Sequence, residues 1–271
     1  MQQSTPLISV IIPLYNAEKF IAKTLDSVIN QTYSHIEILV VDDCSTDTSK
    51  EIVSKYNSMD KRITLIESKQ NFGGPARPRN IGIENANGAY IAFLDADDLW
   101  VPTKLEQQLK FMLSNNLNIS DTNYIDIDTL SNTIDLNNSL RKRFFNKRKK
   151  NLCRLIGSNF LALSSVIVKK DFIEMFSEEN NFIAVEDYRL WLELFNKKDL
   201  KYAYLNETLL HYRVVFSSIS ERSTNGKQDT KAMLCSLDFI IKSNQFKLLP
   251  CFYKSMVIQW IKSFFVKLFK R

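Results

Sequence analysis

The feature that most limits the folds open to this chain is the strict alternation, over its first hundred residues, of short apolar runs with segments of helical period. Residues 7–12, 35–41, 62–66 and 89–94 read as strands, and the last is an uncharged stretch expected to be buried on both faces. Between them, a helix is expected over 17–30, where Phe20, Ile21, Leu25, Val28 and Ile29 share one face. A second runs from a Ser45-Thr46-Asp47 cap through Tyr56, and a third from the Asn71-Phe72-Gly73-Gly74-Pro75 turn to about Ala86, closed by Asn87-Gly88. This order predicts an α/β fold: a Rossmann-like, mostly parallel sheet flanked by helices. Every strand then ends at one common edge. Ligands of open sheets bind outside that edge, where the topology leaves a crevice.

Acids arrive at this edge twice. Asp42 and Asp43 follow the second strand, and Asp95, Asp97 and Asp98 follow the fourth within four positions. Asp95 and Asp97, with only Ala96 between them, can turn toward one cation; oxygen ligands of this kind suit Mg²⁺ or Mn²⁺, whose remaining shell comes from water and substrate phosphates. An isolated Asp-x-Asp is also what a solvated loop or a helix cap looks like. Asp98, ahead of Pro102-Thr103-Lys104, is read in that second way.

After Trp100 the pattern loosens. A helix is expected over 102–115, short strands near 119–127, a hairpin or loop over 132–138, and a strand over 163–168. Val185-Glu186-Asp187-Tyr188 opens a helix with Leu190, Trp191, Leu194 and Phe195 as its apolar stripe. Strands over 201–204 and 208–215 and a helix over 229–241 complete the reading. The expected division is a domain over 1–225, in two halves at about 7–100 and about 101–225, followed by a helical extension over 226–271. Four scattered cysteines without a Cys-x-x-Cys, and only two histidines, argue against a zinc cluster or a disulfide framework as the organising element. The N-terminal residues have no secretory pattern, so a cytoplasmic protein is expected.

Four blocks, in order, resemble glycosyltransferase family 2, whose fold is GT-A. They are Val10-Ile11-Ile12-Pro13-Leu14-Tyr15-Asn16-Ala17-Glu18; Val40-Val41-Asp42-Asp43-Cys44-Ser45-Thr46-Asp47; Pro78-Arg79-Asn80-Ile81-Gly82-Ile83 leading into Ala92-Phe93-Leu94-Asp95-Ala96-Asp97-Asp98; and Glu186-Asp187-Tyr188-Arg189-Leu190-Trp191. The resemblance implies an inverting transfer of a sugar from a nucleotide-diphosphate donor, expected to be a UDP-sugar, to a glycan or lipid-linked acceptor in surface polysaccharide synthesis. It implies Pro13, Tyr15, Asp43, Arg79, Asp95 and Ala96 at the nucleotide, Asp97 and Asp95 at Mn²⁺ or Mg²⁺, and Asp187 as catalytic base with Glu186 beside it. A base of this kind takes the acceptor proton as charge develops, and a helix N-terminus favours its ionised form. Where many relatives carry a histidine, this chain has Val215; Arg213 and the loop over 217–223 are the candidates to compensate. His211, four residues earlier, reads as structural.

Positive charge is segregated. Residues 141–154 hold eight Lys or Arg and no acid, and residues 242–271 hold seven and none; with these set aside, 21 basic residues face 30 acidic ones. Residues 252–271 have helical period, with Val257, Ile258, Trp260, Ile261, Phe264, Phe265, Leu268 and Phe269 on one broad face. Such a basic amphipathic helix fits an anionic membrane surface, and equally a helix packed on protein. Peripheral attachment to the inner face of the cell membrane is the expectation, with no nucleic-acid partner. Two other readings stay open: a catalytically silent, membrane-associated nucleotide-sugar-binding scaffold, and a nucleotidyltransferase, for which the Gly-rich phosphate loop after the first strand is missing.

Overall fold

The structure is a computed structural model and describes residues 5–134, 151–156, 158–215 and 227–258. The chain forms an eight-stranded sheet in the order β3-β2-β1-β4-β7-β6-β8-β5. The strands are β1 (Ile8–Leu14), β2 (Ile36–Asp42), β3 (Ile63–Glu67), β4 (Tyr90–Phe93), β5 (Leu99–Trp100), β6 (Ile119–Ile127), β7 (Ile167–Lys169) and β8 (Tyr202–Arg213). The first four strands pair parallel, as alternation requires. Beyond them the sheet is mixed: β7 runs antiparallel to β4 and β6, β8 parallel to β6, and β5 antiparallel to β8.

The helices are α1 (Ile21–Ile29), α2 (Ser49–Met59), α3 (Ala76–Asn85), α4 (Lys104–Ser114), α5 (Leu152–Leu155), α6 (Glu186–Asn196) and α7 (Lys227–Lys242). Strand periodicity divides the core into two layers. Ile8, Val10 and Ile12 of β1 face Ile21, Leu25 and Val28 of α1, whereas Ile11 joins Ile83 of α3 and Leu190, Trp191 and Leu194 of α6 on the other side. Cys235, Phe239 and Ile240 of α7 belong to that second layer. Gly88 sits where β1 and β4 converge: a Cβ there would lie 2.7 Å from the Ser9 nitrogen and 2.8 Å from the Leu7 carbonyl oxygen, so only glycine fits.

Several expectations change. The strand expected over 163–168 is a 3-10 turn, Leu163–Ser165, followed by β7. The two strands expected over 201–215 are one, β8, because a register shift against β6 near Asn123 lets pairing continue past the polar residues 206–208. Cys153 and Cys251 form a disulfide across 98 residues, a pairing not foreseen from the sequence, while Cys44 and Cys235 stay free, so this is a single bridge and not a disulfide framework. Folding brings the Cα atoms of Cys153, in α5, and Cys251, in the helical stretch 249–258, to 5.6 Å, which sequence spacing does not reveal. Among the described residues no helix is long and apolar enough to cross a membrane. The basic run 141–150, the loop 217–223 and the tail from 259 onward lie outside the described residues.

Candidate active site

The buried strand β4 delivers Leu94 into the core and then Asp95, Ala96, Asp97 and Asp98 into a tight turn, closed by the Asp98 amide donating to the Asp95 carbonyl at 3.1 Å. Neighbouring elements fix this acid turn. From α1, the Thr24 hydroxyl lies 2.9 Å from the Ala96 carbonyl and 3.0 Å from that of Asp98. From the 3-10 turn, the Ser164 hydroxyl accepts the Asp95 amide at 3.1 Å. From the end of β8, the Arg213 amide donates to Asp98 Oδ1 at 2.8 Å and its Nε to the Asp97 carbonyl at 2.6 Å.

Asp98 is therefore neither solvated nor a helix cap. It is 1% exposed, and α4 begins without a side-chain cap. Its carboxyl is the internal anchor of the turn, and burial, then Asp97 and Asp95, push its pKa well above the usual carboxylate range. Burial together with the Asp95 charge raises Asp97 to about 6. Two half-buried carboxylates two positions apart are chemically a fit for a divalent cation, with one oxygen of Asp95 already paired to Arg79 at 2.7 Å. Among the described residues no three His, Cys, Asp or Glu converge as a metal cluster. The chemistry of an Asp95–Asp97 pair fits Mg²⁺ or Mn²⁺, ions that take other ligands from water and phosphates.

Arg79, on α3, is 4% exposed and joins two acidic segments. Its Nη2 donates to Asp95 Oδ1 at 2.7 Å and its Nη1 to Glu186 Oε1 at 2.8 Å. Burial opposes the charge, but Asp95 and Glu186 outweigh it and raise the Arg79 pKa. The guanidinium also lies 5.4 Å from the Phe176 ring centroid. Both guanidinium ends are engaged, and an exposed salt bridge is a different arrangement.

Asp187 follows Glu186 at the start of α6. Its Oδ2 accepts from Asn159 Nδ2 at 3.0 Å and its Oδ1 from the Tyr188 amide at 2.7 Å. Burial, followed by the Glu186 charge, pushes its carboxyl up to about 7. This direction is opposite to the one a helix N-terminus alone favours, and burial is its first cause. A carboxyl balanced near 7 is suited to accept a proton at neutral pH.

At the ends of β1 and β2, Pro13 pairs with Val41 and the Asp43 amide donates to the Leu14 carbonyl at 2.8 Å. Tyr15 stands 53% exposed beyond them. The chain turns through positive φ at Asn16 (49°) and Cys44 (60°), and the Asn16 side chain accepts from the Thr46 amide at 2.7 Å. Asp43 is buried and takes the Phe72 amide on its carboxylate at 3.0 Å, while Asn71 Nδ2 donates to the Asp43 carbonyl at 2.8 Å. The 71–75 loop is thereby pinned to the end of β2.

Pro13, Tyr15, Asp43, Asp95, Ala96 and Asp97 thus lie in or just after the carboxyl ends of β1, β2 and β4, and Arg79 ties Asp95 to Glu186, next to Asp187. Thr24, Asn71, Asn159 and Ser164 are not among the site residues expected from the sequence. Each acts through a single hydroxyl or amide reaching an element far away in sequence, and no local pattern marks that. Arg213 lies at the acid turn, and its guanidinium is committed to the carbonyls of Asp97 and Asp128 and to Ser131.

A family model described as glycosyl transferase family 2 matches residues 9–174. The chain is 36% identical over 215 residues to an uncharacterized glycosyltransferase of Haemophilus influenzae, covering 79% of this chain and 82% of the relative. It is 34% identical over 214 residues to the Escherichia coli UDP-Glc:alpha-D-GlcNAc-diphosphoundecaprenol beta-1,3-glucosyltransferase WfgD, covering 79% of each. Among solved structures, it resembles S. aureus TarS 1-349 in complex with UDP-GlcNAc with a TM-score of 0.70 and 22% identity, over 92% of this chain and 72% of that one.

Proposed function

We propose, from the premise that this chain belongs to glycosyl transferase family 2 and has the GT-A fold, that it is an inverting glycosyltransferase. It moves a hexose from a UDP-sugar to a sugar carried on a lipid diphosphate. WfgD, by its name, uses UDP-Glc and a diphosphoundecaprenol-linked GlcNAc, which supports this choice of donor and acceptor class. The single observation that carries the reading is the Arg79 bridge, which ties the acid turn at Asp95 to Glu186, next to Asp187.

In this reading Pro13, Tyr15 and Asp43 receive the nucleoside, and Arg79 holds Asp95 and Ala96 in place at the diphosphate. Asp95 and Asp97 would hold Mn²⁺ or Mg²⁺, which when bound would offset the charge that develops on a departing diphosphate. The acceptor hydroxyl attacks the anomeric carbon and a C–O bond forms. The bond from that carbon to the diphosphate oxygen breaks, and its electron pair leaves with UDP. The hydroxyl proton passes to the Asp187 carboxylate, which Asn159 orients. One displacement inverts the anomeric centre, so an α-linked donor gives a β-linked product. Glu186, held by Arg79, sets the position of the helix start that carries Asp187.

A lipid-linked acceptor places the reaction at a bilayer surface. Peripheral attachment through the C-terminal region is supported by its basic, acid-free composition from 242 onward and by the exposure of Phe246, Tyr253, Val257 and Ile258. We assign residues 1–225 to catalysis and 226–271 to this extension. The test is UDP release from a panel of UDP-sugars with a polyprenyl-diphosphate-linked sugar as acceptor, with and without Mn²⁺. Turnover of one donor, lost in Asp187→Asn, is the expected result. Nucleotide-sugar binding with no turnover of any donor would point to the silent scaffold instead.

A further inference from the structure

Cys153 in α5 and Cys251 in the helical stretch 249–258 join the start of the C-terminal extension covalently to the elements packed on α6. We propose that this bridge is a reversible thiol–disulfide site, opened by a dithiol, through which the extension holds the helix start of Glu186 and Asp187 in its working position. The part that concerns turnover rests on the role given to Asp187 above.

The bridge is placed for exchange. Cys153 is exposed and Cys251 half-buried, whereas Cys235 is buried in the apolar layer beneath. Exposed disulfides are the labile, regulatory kind. Local charge acts in the same direction: Arg154 follows Cys153, Lys254 lies about one helical turn from Cys251, and residues 141–154 and 242–271 contain no acid. Nearby positive charge lowers a thiol pKa, and a thiol of lower pKa leaves faster when its disulfide is attacked. In opening, a thiolate of the dithiol attacks the Cys153 sulfur. The S–S bond breaks, and its electron pair leaves with the Cys251 sulfur, which takes up a proton. The second thiolate of the reductant attacks the reductant's own sulfur in the mixed disulfide and releases Cys153, which is protonated in turn. The protein gains two electrons and two protons, and the dithiol becomes a disulfide.

A short line of contacts runs from the bridge to Asp187. At one end of α5, Asn151 Oδ1 accepts the Arg154 amide at 3.0 Å; at the other, the Leu155 carbonyl accepts the Tyr188 hydroxyl at 2.7 Å. That hydroxyl also lies 2.6 Å from Ser236 Oγ of α7. Tyr188 is the neighbour of Asp187, and its amide donates to the Asp187 carboxylate. Asn159, four residues past α5, donates to the other Asp187 oxygen. The segment that begins at α5 therefore anchors Tyr188 and supplies a partner to Asp187. A single helical turn is unfavourable by itself, so its position depends on what it is tied to. Across the bridge, Leu248 and Phe252 share an apolar layer with Leu155, Ile156, Tyr188 and Phe239. Oxidised, the two sides of this layer are linked covalently; reduced, noncovalent contacts alone hold α5 there.

The test compares full-length protein in its oxidised form with the same protein after dithiothreitol, the reductant then being removed by gel filtration under nitrogen. Alkylation in denaturant followed by mass spectrometry counts the thiols, with Cys44 and Cys235 expected in the oxidised protein and all four cysteines in the reduced one. We expect dithiothreitol to open the bridge in folded protein and oxidised glutathione to close it again. With the bridge open, amide hydrogen exchange should quicken in peptides spanning 151–160 and 185–192. In the UDP-release assay kcat should fall by about tenfold or more, the scale of loss that a slightly misplaced reacting group causes. UDP affinity should be unchanged, and kcat should recover on reclosure. Cys153→Ser and Cys251→Ser should each match the reduced protein and respond to neither reagent. A bridge that opens only in denaturant, or fails to form in oxidised glutathione, overturns the proposal. So does an active enzyme whose kcat, or whose exchange at 185–192, is the same in both states. Reversible opening with altered exchange but no turnover of any UDP-sugar in either state upholds the thiol–disulfide site and overturns the proposed function, so the two failures are distinguishable.

Discussion

Arg79 and Glu186 meet at 2.8 Å across 107 residues of sequence, with side chains only 5% and 7% exposed. A buried pair of this kind is costly to break from one side, because the remaining charge is left without its partner. Arg79→Met is therefore expected to lower unfolding stability by about 3–5 kcal/mol in a urea titration. Glu186→Gln, which keeps an oxygen acceptor for the guanidinium, is expected to lose less.

Asp187→Asn removes the proposed base while keeping the shape of the helix start. The expected result is a fall in kcat of about 10²–10⁴-fold, with donor affinity retained. A variant within a few-fold of wild type in kcat would remove Asp187 from the mechanism.

The acid limb of the wild-type kcat/KM profile is expected near pH 7, where the raised Asp187 pKa lies. Stability carries the same signature with a definite sign. Between about pH 4 and 7 the folded state holds a proton on Asp187 that the unfolded state has released, so this group makes stability fall as pH rises through that window. The Asp187→Asn protein should lack this component in paired urea titrations at pH 4.5 and 7.5.

Asp97→Asn halves the carboxylate charge facing the proposed cation. In wild type, UDP with Mn²⁺ is expected to raise the unfolding temperature more than UDP alone, since any ligand of the native state stabilises it by mass action. The variant should show the same shift with and without Mn²⁺.

Lys104 is fully buried, bonded to Gln108 at 2.7 Å and lying 4.5 Å from the Trp100 ring centroid, and burial depresses its pKa to about 7. The unfolded chain keeps that proton to about pH 10. Between these values the unfolded state binds more protons, so stability contributed by this group rises with pH from about 7 to 10. Lys104→Met is expected to abolish that rise, measured as the difference from wild type in chemical denaturation at pH 7 and 9.5.

What the sequence discloses depends on how local the cause is. Strands β1 to β4 are legible because each is a short apolar run between helical segments, and their parallel order follows from chain connectivity. The antiparallel pairing of β7 is not, because residues 163–168 look like one apolar strand until Ser164 is seen to turn and bond the Asp95 amide. Asp98 reads as a surface acid because its partner, the Arg213 amide, lies 115 residues away. The helix-start argument for Asp187 considered the dipole and had no means of weighing burial, which pushes the carboxyl the other way. The Cys153–Cys251 link is hidden for the same reason as Asp98, since it depends on where two distant helices come to rest.

The anchoring of the acid turn by residues as far downstream as Arg213 has a consequence for the order in which a growing polypeptide can mature. When synthesis has passed Trp100, all four parallel strands and the acids of the turn exist, but the Asp95 amide waits for Ser164 and the Asp98 carboxyl and Asp97 carbonyl wait for Arg213. A nascent chain can thus hold the four parallel strands that frame the crevice well before it can fix the acids in register. Competence comes late in translation, when the segment ending at Arg213 has emerged, and a fragment ending near residue 100 would carry the motif without its geometry.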